Sequence, residues 1–410
     1  MVDTMSELPS QSQKTPLENS GSFWGRLVLI SGFVLVVMSM MTFTPQIAKQ
    51  IAYSWNIGAE RAKAEVARQF LAENPNGEQR IAWVAKAVAP SVVGIHTIST
   101  KPPEGSVLYN EHGGIDTFVS EVGSGVIVDA KEGYIVTNYH VIANAHVILV
   151  RLNDGREVEA GIVGQDRAVD LAVLQIDMED IEAIAWGDSR TVAVGEQVLA
   201  MGSPYGFHQT VTSGIISATE RLLPTRTSQE ARHSKRSLPH EFLQTDAAIN
   251  TGNSGGALVD MNGKLIGINT AIITSDISGG NSGIGFAIPS VTAKQIFEEI
   301  VAHGQVQHGW IGVELSDVTL FESRRMNQKR PMGAMVSQLT RGGSPAKEAG
   351  LQRGDIILRW GETEINNSLH LIHLVTFTKP STQEMVEVFR QGEVLTLEIT
   401  VGVRPANTNW

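Results

Sequence analysis

The chain has 410 residues, too many for one ordinary domain and enough for two or three. At 42% hydrophobic and 18% charged it can bury cores, which excludes disorder throughout. A net charge of −11 argues against nucleic acid as the main partner, and the absence of Cys excludes disulfides, thiol nucleophiles and Cys-ligated zinc.

Residues 1–26 read as a polar tail. Leu27–Ala48 is a run of 22 residues without a charge. As a helix it rises about 33 Å, enough to cross a hydrocarbon core of about 30 Å. A cleaved signal peptide needs small residues at its cleavage site, and no A-x-A follows the run, so the reading is an uncleaved transmembrane anchor. Lys14 and Arg26 precede the run, and Lys49, Arg61, Lys63 and Arg68 follow it, so flanking charge leaves the orientation open. Residues 49–80 read as a charged helical stalk or linker, with a stop at Asn74-Pro75-Asn76-Gly77.

From 81 to 304 short β-type runs alternate with Gly-rich turns. Six of them are Val92–Ile98, Gly123–Val128, Tyr134–Thr137, Val147–Leu152, Glu157–Val163 and Leu171–Ile176. Six more are Gln197–Met201, Thr210–Ala218, Phe242–Thr245, Ala257–Asp260, Lys264–Ile273 and Ile284–Ile288. Twelve such runs predict a mainly β region, two antiparallel barrels of six strands each. Ser290–His303 reads as a helix stopped by Gly304. The composition then shifts. Residues 305–403 predict a small α+β domain with strands at Gly309–Leu315, Ala334–Gln338, Asp355–Trp360, Met385–Arg390 and Val394–Val401, and helices at Ser344–Ala349 and Ser368–Phe377. Residues 404–410 read as a loose tail.

Three segments carry candidate chemistry. His140 follows the run Tyr134–Thr137, Asp170 sits at the mouth of the run Leu171–Ile176, and Ser254 lies in Gly252-Asn-Ser-Gly-Gly. A lone His, an Asp before a strand and an N-S-G-G loop each have an ordinary structural explanation. Together their order is His…Asp…Ser, with spacings of 30 and 84 residues. Peptide hydrolysis by Ser needs a base for its proton, a carboxylate to orient that base, and N–H groups aimed at the developing oxyanion. The backbone of Gly252, Asn253 and Ser254 is the candidate oxyanion hole, because Gly252 permits the tight turn that aims its own N–H and that of Ser254 at one point.

With Thr137-Asn-Tyr-His-Val-Ile142, Asp170-Leu-Ala-Val-Leu-Gln-Ile176, Leu243–Leu258 and Ile284-Gly-Phe-Ala-Ile-Pro289, the chain resembles the HtrA/Deg family of trypsin-like serine proteases over residues 81 to about 403. It is most similar to the membrane-anchored DegS-type branch. The resemblance implies that His140 is the general base, Asp170 its orienting partner and Ser254 the nucleophile. It sets Ala248 at the base of the substrate pocket, with Ile268, Asn269 and Thr270 in its wall. Ala248 is uncharged, so a small or medium apolar P1 residue is expected. The C-terminal domain resembles a PDZ module, which holds a peptide's terminal carboxylate in a loop of backbone N–H groups. Trp310, Ile311, Gly312 and Val313 stand where that loop is expected, and Ile372 and Val375 stand on the helix beside the groove.

Glu220–Glu241 carries no strand pattern and holds Arg226, Arg232 and Arg236. In so acidic a chain it reads as a surface loop. Its position matches the family's regulatory loop, which senses peptide at the PDZ domain. The resemblance implies an inner-membrane, single-pass serine endopeptidase on the periplasmic side, a homotrimer without metal or organic cofactor. C-terminal peptides of misfolded envelope proteins are its expected activators, and first-site cleavage of a membrane-spanning anti-sigma factor its expected reaction. Two alternatives remain: a broad quality-control protease or chaperone, and an inert peptide-binding scaffold.

Overall fold

A computed structural model of the protein describes residues 57–74, 79–99, 118–203, 209–224, 239–250, 252–270, 283–340 and 342–405. The anchor expected at Leu27–Ala48 and the loop residues Arg226, Arg232 and Arg236 lie outside these. Among the described residues no helix is long and apolar enough to cross a membrane. Two compact units, Met1–Gly58 and Ala59–Trp410, divide the chain, and nearly all described residues belong to the second.

Helix α1 (residues 57–73) is docked rather than a free-standing stalk. Ala64 and Ala67, one turn apart, are wholly buried, and such small side chains allow close approach. Arg61 pairs with Asp180 at 3.0 Å and Arg68 with Glu182, and Phe70 stacks on Trp83 with ring centroids 4.5 Å apart. Trp83 belongs to α2 (Arg80–Val88).

The first barrel comprises β1 (Val92–Ser99), β2 (Phe118–Asp129), β3 (Tyr134–Thr137), the turn of helix α3 (Tyr139–Ile142), β4 (Val147–Arg151), β5 (Glu157–Glu159), β6 (Gly161–Asp166) and β7 (Leu171–Gln175). The antiparallel strand order is β5-β4-β1-β2-β3-β7-β6. The expected single strand at Glu157–Val163 is thus two strands meeting at Ala160. Ala160 is buried and donates its N–H to Ile148 O (2.9 Å), whereas Gly161 already pairs with Gln175 of β7. One run of chain therefore serves both edges of a seven-stranded sheet where a six-stranded barrel was expected, and the corner at Ala160 brings those edges together.

The second barrel is closed, in the order β10-β13-β12-β11-β8-β9. Its strands are β8 (Gln197–Gly202), β9 (Thr210–Pro224), β10 (Pro239–Thr245), β11 (Ala257–Asp260), β12 (Leu265–Thr270) and β13 (Gly285–Pro289). The stretch Glu220–Glu241 is not strand-free, as β9 reaches Pro224 and β10 begins at Pro239, with Leu222 opposite Glu241. Ile95, Ile127, Ile135 and Leu174 fill one barrel, while Leu199, Met201, Phe242 and Val136 belong to the larger core shared by both. Each such side chain contributes about 2 kcal/mol relative to exposure. Helix α4 (Ser290–His303) covers β6 and β7 and ends at Gly304 in the left-handed region.

The C-terminal domain has β14 (Gly309–Trp310), β15 (Val313–Asp317), α5 (Leu320–Arg325), β16 (Ala334–Leu339), α6 (Pro345–Glu348), β17 (Ile356–Trp360), β18 (Thr363–Glu364), α7 (Ser368–Phe377), β19 (Gln383–Arg390), β20 (Glu393–Thr400) and β21 (Gly402–Val403). Its main sheet runs β15-β16-β17-β19-β20 over a core of Val336, Ile357, Leu371, Val388 and Ile399. The run Gly309–Leu315 is broken at Gly312, whose φ of 77° turns the chain between β14 and β15. Helix α5 was not expected. Thr319 and Glu322 form a reciprocal capping box that starts it, a signal present in the sequence as T-x-x-E.

Candidate active site

The first barrel delivers two side chains to one end. Asn138 lies between β3 and α3, so His140 stands in the first turn of α3 at the rim of the sheet. The β6–β7 turn brings up Asp170, a buried residue held in the left-handed region at φ 61°. For a non-glycine residue this conformation is strained and needs compensation. Here Asp170 O accepts from Tyr139 N (3.2 Å) and Asn138 Nδ2 (2.9 Å). Its carboxylate meets His140 twice, Oδ1 accepting from the main-chain N–H (2.9 Å) and Oδ2 lying 2.7 Å from Nδ1. The side chain of Asp170 is 3% exposed and that of His140 is 26% exposed, so the pair is anchored on the carboxylate side and open on the imidazole side.

The second barrel supplies the turn bearing Ser254, which is buried among Gly252, Asn253, Gly255 and Gly256. That turn is braced from the first barrel by Ser124. Ser124 N donates to Ser254 O (2.9 Å), Ser124 Oγ donates to Gly252 O (2.6 Å), and the same hydroxyl accepts from Ser203 N (2.8 Å). Thr137 Oγ1 donates to Ser124 O (2.7 Å). Gly255 has φ 80°, and a Cβ there would collide with Ser124 O, so close contact between the barrels requires glycine. Within the turn, Asn253 N donates to Asn250 O (3.2 Å) and Asn253 Oδ1 accepts from Asn250 N (2.8 Å). The Asn253 N–H is thereby engaged within the turn.

Three residues expected in the pocket wall have other contacts. Ile268 lies in the hydrophobic core shared by both barrels. Asn269 donates Nδ2 to Met201 O (3.2 Å) and Ala257 O (3.0 Å), and its own O accepts from Gly255 N (2.8 Å). Thr270 Oγ1 donates to Asp170 Oδ2 at 3.2 Å. The reason is that every residue of β12 is buried, so its side chains brace the neighbouring loops. Ala248 is half-buried, and its carbonyl accepts from Thr212 Oγ1 (2.9 Å) and Asn253 Nδ2 (3.2 Å). The sequence reading missed Ser124, and it named Thr270 for the pocket wall without its contact to Asp170. Gly123-Ser124-Gly125 was a usable signal for Ser124, since glycines inside a strand mark close approach; Thr270 had none.

In the C-terminal domain Ile311 and Val313 are buried and Trp310 is half-buried. Ile311 O accepts from Ala346 N (2.9 Å) and Gly312 O from Thr340 N (3.0 Å). A trans peptide sets N–H opposite C=O, so the Gly312 and Val313 N–H groups point away from these donors. Helix α7 packs beside β14 and β15, and Asp317 Oδ1 ties their ends together by accepting from Ser368 N (2.9 Å) and Ser368 Oγ (2.6 Å). Val375 is in the core and Ile372 is half-buried.

Two β-barrels with a Ser turn between them, followed by a small domain with a Gly-turn before its first long strand, define a trypsin-like peptidase domain joined to a PDZ domain. Residues 123–268 match the trypsin-like peptidase domain family and residues 309–401 the PDZ domain family. The chain is 42% identical over 287 residues to a probable periplasmic serine endoprotease, DegP-like, from Hahella chejuensis, an alignment covering 70% of this chain and 58% of the relative. A namesake from Pseudomonas fulva is 41% identical over 295 residues, covering 72% and 58%. The chain thus spans under two thirds of the length of these curated relatives. Against the solved HtrA-type protease AlgW with tripeptide the TM-score is 0.64 at 40% identity, covering 78% of this chain and 96% of that one. A serine endoprotease from Yersinia pestis gives 0.54 at 34%, covering 78% and 97%. The chain belongs to the HtrA-type family of serine proteases.

Proposed function

We propose that the protein is a serine endopeptidase with Ser254 as nucleophile, His140 as general base and Asp170 as its orienting carboxylate. The observation that carries this reading is the pair of contacts from Asp170 to the main chain and Nδ1 of His140. With Nδ1 engaged, Nε2 is the nitrogen that acts as base. It takes the Ser254 hydroxyl proton as the oxygen attacks the scissile carbonyl, Asp170 stabilises the imidazolium, and the proton passes to the leaving amine. Water then repeats the sequence on the acyl-enzyme, with His140 again as base. The N–H groups of Gly252 and Ser254 stabilise the oxyanion. Ala248 offers no charge to a basic P1 side chain, so the guest is small or medium and apolar.

The finer reading is a protease anchored in the inner membrane by Leu27–Ala48, with its catalytic part in the periplasm and activity raised by C-terminal peptides of misfolded envelope proteins at Trp310–Val313. Support comes from the uncharged run of 22 residues, from relatives named periplasmic, and from AlgW having been solved with peptides. A homotrimer and first-site cleavage of a membrane-spanning anti-sigma factor complete the reading, with Arg226, Arg232 and Arg236 as the sensor. The test is kcat/KM of the detergent-solubilised full chain on a reporter peptide, alone, with a peptide ending in an apolar residue, and with its C-terminal amide. The proposal expects stimulation by the free carboxylate only. Equal activity in all three arms identifies an ungated quality-control protease, and none in any arm an inert scaffold.

A further inference from the structure

Two histidine–carboxylate pairs join the PDZ domain to the peptidase domain among the described residues. His308, just before β14, sets Nε2 at 2.9 Å from Asp166 Oδ2, with side chains 10% and 4% exposed. His373 of α7 sets Nε2 at 3.4 Å from Glu241 Oε1 of β10. Both imidazoles lie against one ring, Phe377, with centroid distances of 6.2 Å for His308 and 4.8 Å for His373. In each pair the imidazole comes from the PDZ domain and the carboxylate from the peptidase domain.

Each carboxylate leads toward the candidate catalytic residues. Asp166 begins the turn that ends at Asp170, and its Oδ1 accepts from Ala168 N (2.9 Å) while its Oδ2 faces His308. One side chain thus caps the Asp170 turn and grips the PDZ domain. Glu241 sits on β10, which runs through Thr245 into the segment bearing Ser254. Both pairs therefore link the PDZ domain to elements that hold the reacting groups, one in each barrel.

We propose that His308 is a positioning residue for the peptidase: as a cation on Asp166 it steadies the turn that presents Asp170 to His140, and its deprotonation loosens the join between the domains and lowers turnover. The kinetic part of this inference rests on the reading of His140, Asp170 and Ser254 given above. The structural part does not.

The charged surroundings set the direction. Facing His308 are Asp166 of β6, Glu299 of α4 and Arg404 beyond β21, with Lys379 beside Phe377. Facing His373 is Glu241 of β10, while His370 on the same helix accepts from Asn366 N (3.2 Å). Burial by itself lowers the pKa of His308, but the charge and hydrogen bond of Asp166 outweigh it and raise the value, with Arg404 opposing and Glu299 assisting. Burial likewise favours neutral Asp166, yet His308 and the N–H groups of Ala168 and Val169 hold its carboxyl below the usual range. Burial brings Arg404 down to about 10, which leaves it charged at neutral pH. A raised histidine pKa stabilises the folded join fully below about 6.5 and loses that contribution as pH rises through the folded value. The Asp166 contribution is present above its unfolded value near 3.8 and is lost only as pH falls through the lowered one. The clasp is therefore tight in mildly acidic conditions and weakens on the alkaline side.

The test compares wild type, His308→Arg and His308→Gln as full chains in detergent between about pH 5.5 and 9. Hydrogen exchange of the peptide spanning residues 166–173 is read at matched pH, beside kcat and KM. His308→Arg keeps the charge at every pH, so its protection exceeds that of wild type progressively above neutrality and the alkaline fall in kcat disappears. His308→Gln is neutral throughout, so at acidic pH it shows the looser exchange of alkaline wild type and a kcat lowered severalfold with KM little changed. Identical exchange and identical kcat profiles in all three proteins would overturn the proposal. If exchange follows the charge at position 308 while no protein hydrolyses peptide, the clasp stands and the peptidase reading fails. If hydrolysis is normal and exchange ignores that charge, the clasp fails alone.

Discussion

Thr270 offers a sharp perturbation because its hydroxyl donates to the buried Oδ2 of Asp170 at 3.2 Å. Thr270→Val preserves the branched shape on β12 and removes only that donor. Hydrogen bonds to charged groups contribute about 1.5–3 kcal/mol, and leaving a buried acceptor short carries a similar cost. The contact is long, and Asp170 keeps both bonds to His140, so the lower end applies. About 1.4 kcal/mol is a tenfold change in rate. Thr270→Val should therefore lower kcat roughly tenfold with KM nearly unchanged, because the loss falls on the geometry of the base and not on substrate contacts. Thr270→Ser, which restores the donor, should recover most of it. The assay is steady-state hydrolysis of a reporter peptide by the full chain, with urea unfolding to confirm a native fold. A Val variant within twofold of wild type, or a raised KM at constant kcat, would refute the assignment and return Thr270 to the pocket wall.

Ser124→Ala removes the hydroxyl that donates to Gly252 O and accepts from Ser203 N, so stability should fall by about 1–3 kcal/mol in urea titrations and kcat by at least tenfold; unchanged values would show that the turn does not depend on this brace. Arg390 holds Asp355 with two bonds of 2.7 Å, and the Asp355 side chain is 1% exposed, so Arg390→Leu should cost the PDZ domain about 3–5 kcal/mol, seen as a lowered calorimetric transition; a change under about 1 kcal/mol would contradict it. Replacing Arg226, Arg232 and Arg236 together by Ala should weaken peptide stimulation of kcat/KM while leaving peptide affinity by calorimetry intact, and full stimulation would remove the loop from the gating scheme. Deleting residues 1–50 should release the protein from membranes that retain the full chain through a carbonate wash.

The sequence conveyed the architecture well where periodicity and punctuation agree. Tyr134–Thr137 and Ala257–Asp260 appear as read, and so do Ser290–His303 with its Gly304 stop and Ser368–Phe377. It was less informative where a strand changes partner. Glu157–Val163 looks continuous because alternation does not encode which neighbour a residue pairs with, and only the corner at Ala160 reveals two pairings. The extension of β9 and β10 beyond the apolar runs has a similar cause, since backbone pairing continues a hairpin past its alternating core. At the site, His140 and Asp170 were legible from order and local strings, and the structure brings them together at 2.7 Å. Thr270 and Asn269 were not, because both faces of β12 are buried and nothing in the local string says which loop each side chain will brace. His308 was invisible for a related reason: its partner Asp166 lies 142 residues away in another domain.

Intact mass and peptide mapping after reaction with a fluorophosphonate test the central claim most directly. The account predicts one adduct per chain, located on Ser254, and its loss in Ser254→Ala and strong slowing in His140→Ala, with folding preserved in both. An adduct on another residue, or one that persists in Ser254→Ala, would contradict it.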